Sequence, residues 1–147
     1  MKNSAHKGFT LIELLVVISI IGILATLIMA NFMGVRERAR DAQRKSDINQ
    51  IQKALELYKS SKTPIEYPTA LPTLSPTYMG KVPSDSRYDS ACTTSCWPDY
   101  SYTRDPGSTG DNLTYELVAC LENASDQQKD STTDTDCSVA SFTRREP

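Results

Sequence analysis

The sequence contains a single histidine, His6, and that residue lies within the first eight positions. Because no other histidine is present, the rest of the chain cannot form the Ser-His or Cys-His pair that activates a nucleophile. The sequence also lacks a glycine-rich phosphate loop, an internal repeat and a DNA-binding signature. These absences argue against an enzyme and against a protein that binds nucleic acid.

Charge is nearly absent from one long segment near the N terminus. Across residues 9–35 the only charged side chain is Glu13, and about 20 apolar residues follow it, enough to cross a hydrocarbon core of about 30 Å as a helix. A cleaved secretory signal peptide is the competing interpretation, but its apolar region is only about 7 to 15 residues long. The segment therefore predicts a transmembrane helix.

Glu13 is unusual in such a helix. An acid deep in a bilayer costs about 2.5 to 3.5 kcal/mol on insertion scales, and acids of this kind usually pair with a cation and mark function. The simpler alternative is that Glu13 lies near the membrane interface and reaches water. The residues around it favour the functional interpretation.

The N terminus resembles that of type IV prepilins and type II secretion pseudopilins. The shared features are a short basic leader, the sequence KGFTLIE over residues 7–13 and the long apolar helix. The resemblance implies that a prepilin peptidase cleaves between Gly8 and Phe9, and that the new terminal residue, Phe9, is methylated. It also implies that Glu13 pairs with the terminal amine of a neighbouring subunit during assembly.

The resemblance implies a structural function. We expect a subunit that waits in the inner membrane, is taken up by an inner-membrane assembly platform and polymerises with other pilin subunits into an extracellular or periplasmic filament, with stacked helices replacing the membrane lipid. One alternative is a minor or competence pseudopilin that binds DNA or a secreted substrate. Another is an exported binding domain that stays anchored in the membrane and never polymerises.

Four segments follow from these patterns: a cleaved leader (1–8), an apolar membrane and polymerisation helix (9–35), an amphipathic stem helix (36–60) and an exported head with disulfides (61–147). No proline interrupts residues 10–60. Apolar side chains recur at helical spacing along the stem and predict the face that packs on the head: Ala39, Ala42, Ile48, Ile51, Leu55 and Tyr58.

The stem begins with the basic sequence RERARDAQRK (residues 36–45). A nucleic-acid or lipid-headgroup patch is one interpretation, and pairing with the acidic heads of other subunits is a second. We favour a solvated helix face, because Glu37 and Asp41 are interspersed among the cations. Arg44 and Asp47 are accordingly expected to point away from the head.

Prolines end the stem, since Pro64 is the first of five between residues 64 and 83. Two strands are predicted after them, in DYSYTRD (99–105) and NLTYELVACL (112–121), on either side of a turn-rich segment. In the second strand alternate residues share the face that packs on the stem: Leu113, Tyr115, Leu117, Ala119 and Leu121. Together with the resemblance, this predicts an α+β, pilin-like fold in which a long N-terminal helix packs on a small antiparallel sheet.

Four cysteines, all in the head, permit three pairings. We favour Cys92 with Cys96 and Cys120 with Cys137, the second bond enclosing an acidic loop and stabilising the fold by roughly 3 kcal/mol. Zinc is a weak rival because the spacing departs from the usual paired hooks.

The acidic loop between the last two cysteines raises the question of calcium, because major pseudopilins bind calcium in a C-terminal loop and carboxylates suit that ion. The family's loop pattern is absent here, so we expect a solvated surface loop and no cofactor, with calcium as the alternative.

The sequence carries opposing signals for the side of the membrane on which the C-terminal domain lies. The leader has two Lys/Arg, whereas five lie within residues 36–45, which by the positive-inside rule would keep the C-terminal side in the cytoplasm. The cysteines favour an oxidising compartment, and specific enzymes recognise the leader. We therefore expect a single-pass inner-membrane precursor with an exported C-terminal domain.

Overall fold

A computed structural model of the chain describes residues 9–92, 96–107 and 110–146. One long helix and three strands make up its regular structure, apart from a short 3-10 turn: α1 (Leu11–Ser61), β1 (Ser101–Arg104), β2 (Tyr115–Leu121) and β3 (Ala140–Arg145). The strands form one antiparallel sheet in the order β1-β2-β3. The predicted α+β class is confirmed. The chain divides into two compact units, Met1–Arg36 and Glu37–Pro147.

The N-terminal unit is helical from Leu11 and apolar over Leu11–Met29, a stretch of 19 residues long enough to cross a membrane. The side chains of this stretch are exposed. The hydroxyls of Ser19 and Thr26 donate to carbonyls of their own helix, those of Leu15 and Ile23, at 2.7 Å each. These two polar side chains are therefore satisfied without water, as a lipid environment requires.

The core of the C-terminal unit lies between α1 and one face of the sheet. Ile48, Ile51 and Leu55 are fully buried, and they belong to the same cluster as Leu117 and Leu121 of β2. The predicted alternation of β2 is confirmed from Tyr115 to Leu121. Its opposite face carries Val118 and Cys120, which form a second, smaller cluster with Cys137 and Trp97.

The predicted apolar face of the stem is wrong at its N-terminal end. Ala39 and Ala42 are exposed, whereas Asp41, Arg44 and Asp47 are buried. The spacing explains this result, because positions 41, 44, 48, 51, 55 and 58 alternate steps of three and four and so share one helix face. Positions 39 and 42 lie off that face.

The strand predictions also need two corrections. Leu113 is 37% exposed and lies before β2, because Asn112 adopts a positive φ of 56° that interrupts extended backbone. The third strand, β3, was not predicted. It pairs with β2 over six residues, from Leu121↔Ala140 to Glu116↔Arg145.

The outer edge of β3 is covered by Asp130. The backbone N–H of Asp130 donates to the carbonyl of Ser141 at 2.9 Å, and its carboxylate accepts the backbone N–H of Thr143 at 3.1 Å. The same carboxylate accepts both hydroxyls, from Ser141 and Thr143, at 2.7 Å. One acidic residue thus occupies the hydrogen-bonding positions that a fourth strand would use.

Two leucines that lie four chain positions apart test this core. Leu117 is fully buried and Leu113 is 37% exposed. We expect Leu117→Ala to lower the free energy of unfolding by about 2 to 5 kcal/mol, because it leaves a cavity between α1 and the sheet. Leu113→Ala, measured beside it by chemical denaturation, should change that free energy by less than about 1 kcal/mol. Equal losses in the two variants would show that the strand is placed incorrectly.

Candidate functional site

The first candidate site is the start of α1, where Gly8, Phe9 and Glu13 were singled out from the sequence. Gly8 lies outside the described residues, and Phe9 is exposed. The backbone N–H of Glu13 donates to the hydroxyl of Thr10 at 3.3 Å, and that hydroxyl lies 3.4 Å from the Glu13 carboxylate. Thr10 and Glu13 therefore form part of a capping box. An acid in the first turn also interacts favourably with the helix dipole.

The second candidate site is a buried charged group in the C-terminal unit, which we call the Arg44 cluster: Asp41, Arg44, Asp85 and Glu122. The guanidinium of Arg44 is 1% exposed and contacts all three carboxylates. Its Nε and Nη2 donate to the two oxygens of Asp85 at 2.5 and 3.2 Å, and its Nη1 lies 2.7 Å from both Asp41 and Glu122. Burial alone would lower the pKa of Arg44, but hydrogen bonds to these acids outweigh it and raise the pKa.

Glu122 joins the cluster to two further arginines at its surface. Arg40 donates two parallel hydrogen bonds to its carboxylate at 2.7 and 2.5 Å, and Arg87 approaches to 3.2 Å. The hydrogen bonds from Arg40, followed by those from Arg44, lower the pKa of Glu122 to about 2 against the opposing effect of burial. Glu122 is therefore ionised throughout the physiological pH range, and its side chain is only 8% exposed.

The same helix face fixes the segment that follows β2. The carboxylate of Asp41 accepts the backbone N–H groups of Glu122 and Asn123 at 3.0 and 2.9 Å. One turn further along, Lys45 donates to both oxygens of Asp126 at 2.7 and 2.6 Å. The predictions of a solvated basic face and a solvated acidic loop are therefore both wrong at these residues, because the cations and acids neutralise one another within one chain.

Trp97 covers one side of the Arg44 cluster. Its ring centroid lies 4.6 Å from the guanidinium carbon of Arg44 and 4.4 Å from that of Arg87, and its indole N–H donates to Asp85 at 3.0 Å. Aromatic faces attract guanidinium groups electrostatically. Trp97 therefore adds contacts that the sequence did not predict, since nothing in the spacing relates residue 97 to the stem.

The structure contains the two disulfides favoured from the sequence. Cys92 is bonded to Cys96, and Cys120 to Cys137. The two bonds differ in environment, because Cys120 and Cys137 are 6% and 8% exposed, whereas Cys92 is exposed and Cys96 half-buried. Among the described residues, no three His, Cys, Asp or Glu side chains come together as metal ligands.

The burial of Arg44 leads to a prediction that a solvated stem would not make. Arg44→Ala leaves three carboxylates without their shared cation, so we expect it to lower the free energy of unfolding by about 3 to 5 kcal/mol. Arg38 belongs to the same basic sequence but is exposed, and Arg38→Ala should change that value by less than about 0.5 kcal/mol. Denaturation of the full chain in detergent provides the measurement. Similar free energies of unfolding for the two variants would contradict the burial of Arg44 among the three carboxylates.

The low pKa of Glu122 makes stability depend on pH in a defined direction. Unfolding returns the pKa of Glu122 from about 2 to the ordinary value of 4.5. The contribution of this ionised carboxylate to the free energy of unfolding is therefore complete above about pH 4.5 and is lost as the pH falls towards 2. Between neutral pH and pH 3 we expect a loss of about 2 kcal/mol from this residue. Glu122→Gln should be less stable at neutral pH and show a shallower decline. An unchanged acid profile in that variant would contradict the assignment.

Comparisons with known proteins bear on the N-terminal site. A family model described as the prokaryotic N-terminal methylation motif matches residues 3–29. The chain is 38% identical over 89 residues to the type II secretion system core protein G of Klebsiella michiganensis, covering 60% of this chain and 61% of the relative. It is 45% identical over 64 residues to core protein G of Escherichia coli K12, covering 44% and 43%.

A pilus protein is also similar. The type IV wide pilus major component PilA4 of Thermus thermophilus is 46% identical over 59 residues, covering 40% of this chain and 44% of the relative. No solved structure matches. The matches span between 43% and 61% of these relatives' length. The chain therefore carries the prokaryotic N-terminal methylation motif and is similar to type II secretion pseudopilins and to a type IV pilin, as its leader indicated.

Proposed function

We propose that this chain is a structural subunit of a type IV pilus or a type II secretion-like pseudopilus, and that it polymerises through its N-terminal helix. The observation that carries the proposal is the exposed apolar stretch Leu11–Met29 with the single acid Glu13 at its start. Such a surface needs lipid or other apolar helices around it. The match to the methylation motif and the similarity to core protein G and PilA4 support a filament subunit.

The proposal includes a processing step. A prepilin peptidase cleaves after Gly8 and the amine of Phe9 is methylated, which leaves a cation four chain positions before Glu13. The precursor is anchored in the inner membrane with its C-terminal unit exported, and an assembly platform transfers it to the filament. The two disulfides are consistent with an oxidising compartment for that unit.

Two roles for Glu13 must be separated. As a capping residue it would act through Thr10 within its own helix. As an assembly residue it would act through its negative charge on the terminal amine of a neighbouring subunit. Glutamine retains a hydrogen-bonding side chain but removes the charge, whereas Thr10→Ala removes the cap and retains the charge.

We expect Glu13→Gln to accumulate as processed, membrane-bound subunit and to yield at least about tenfold fewer filaments, since an unpaired buried amine is costly. Removing the acid also makes insertion more favourable, so membrane content should not fall. Thr10→Ala should lose only the cap, worth about 0.5 to 2 kcal/mol, and still assemble. Sheared filaments are quantified beside membrane content and intact mass.

Two controls complete the experiment. Ser19→Ala removes a hydroxyl that donates to a carbonyl of its own helix, and this variant should assemble normally. Gly8→Leu should block cleavage, and normal processing of that variant would refute the peptidase assignment. If Glu13→Gln assembled as well as wild type while Thr10→Ala failed, Glu13 would be a capping residue and the pairing mechanism would be wrong.

A further inference from the structure

The two disulfides are unequally accessible, although both lie in the C-terminal unit. Cys120 and Cys137 are buried beside Val118. Cys92 is exposed and its partner Cys96 is half-buried. Because thiol–disulfide exchange requires a thiolate to reach a sulfur atom, its rate depends on this access. An external thiol can therefore reach Cys92 far more readily than either buried cysteine.

The accessible bond adjoins the residue that covers the Arg44 cluster. Cys96 directly precedes Trp97 in the chain. The Trp97 ring contacts the guanidinium groups of Arg44 and Arg87, and its N–H donates to Asp85. A covalent link at Cys96 limits the conformations available to its neighbour, so breaking that link gives Trp97 more freedom to leave the cluster.

We propose that the Cys92–Cys96 disulfide is a redox modification site for a dithiol reductant, and that its state controls the placement of Trp97 on the Arg44 cluster. A thiolate of the reductant attacks the Cys92 sulfur, the S–S bond breaks and Cys96 leaves as a thiolate that takes up a proton. The second thiol of the reductant then attacks the mixed disulfide and releases Cys92. Two electrons and two protons pass to the protein, and the reductant becomes a disulfide.

The consequence is confined to one side of the fold. The Cys120–Cys137 bond stays intact and continues to hold the acidic loop against β2. Asp85 loses its indole donor but keeps its two hydrogen bonds from Arg44. Reduction therefore loosens the cover of the cluster without unfolding the unit, and reoxidation restores it.

The first experiment measures selectivity. Full-length protein in detergent is incubated with dithiothreitol for increasing times and alkylated, and each cysteine is quantified by peptide mass spectrometry. We expect Cys92 and Cys96 to be modified at least about tenfold faster than Cys120 and Cys137. Equal rates, or faster modification of the buried pair, would overturn the proposal.

The second experiment follows Trp97, which is the only tryptophan of the chain. Its emission maximum should move to longer wavelength when Cys92 and Cys96 are reduced and Cys120–Cys137 is intact, and oxidised glutathione should reverse the shift. The double variant Cys92→Ser/Cys96→Ser should have the same emission maximum as wild-type protein in which Cys92 and Cys96 are reduced. Dithiothreitol should not change that maximum while the Cys120–Cys137 bond is intact. If the variant kept the emission of oxidised wild type, or if reoxidation failed to restore it, the proposed link would be wrong.

Discussion

The buried positive charge of Arg44 organises the C-terminal unit. A guanidinium that is 1% exposed is tolerated only when its charge is neutralised and its N–H groups are bonded. The three carboxylates that meet this requirement come from separate parts of the chain, since Asp41 lies on α1, Asp85 in the long connection after it and Glu122 directly after β2. Satisfying one cation therefore brings three segments together.

This arrangement combines charge neutralisation with an apolar core on a single helix face. Ile48, Ile51 and Leu55 pack against the sheet, and Arg44 continues the same face towards the N terminus of the helix. Apolar packing has no directional requirement, whereas the bidentate contact between Arg40 and Glu122 fixes a particular geometry. The charged part of this helix face thus determines where the end of β2 lies, whereas the apolar part contributes buried apolar surface.

Local patterns in the sequence were sufficient for several features. The leader motif and the uncharged segment after Glu13 predicted the N-terminal helix, and alternation predicted which residues of β2 face the core. The Arg44 cluster was missed because residue type was given more weight than position, although Asp41 and Arg44 share the spacing of the buried face. Asp85, Trp97 and Glu122 could not have been assigned to it, because no local period links side chains that are separated by 41 to 81 chain positions. The strand β3 was missed for a related reason, since its pairing with β2 depends on a contact across the acidic loop.

The cover over the β3 edge has a consequence for chains that are held close together. An open strand edge offers N–H and C=O groups to any other strand, and proteins with such edges are prone to join into continuous sheets and aggregate. Asp130 already occupies the groups of Ser141 and Thr143 with its own backbone and carboxylate, and a charged residue at an edge also repels an identical neighbour. Copies at high local concentration are therefore kept from extending one another's sheets along the β3 edge, so that contacts between them at this edge are left to side chains.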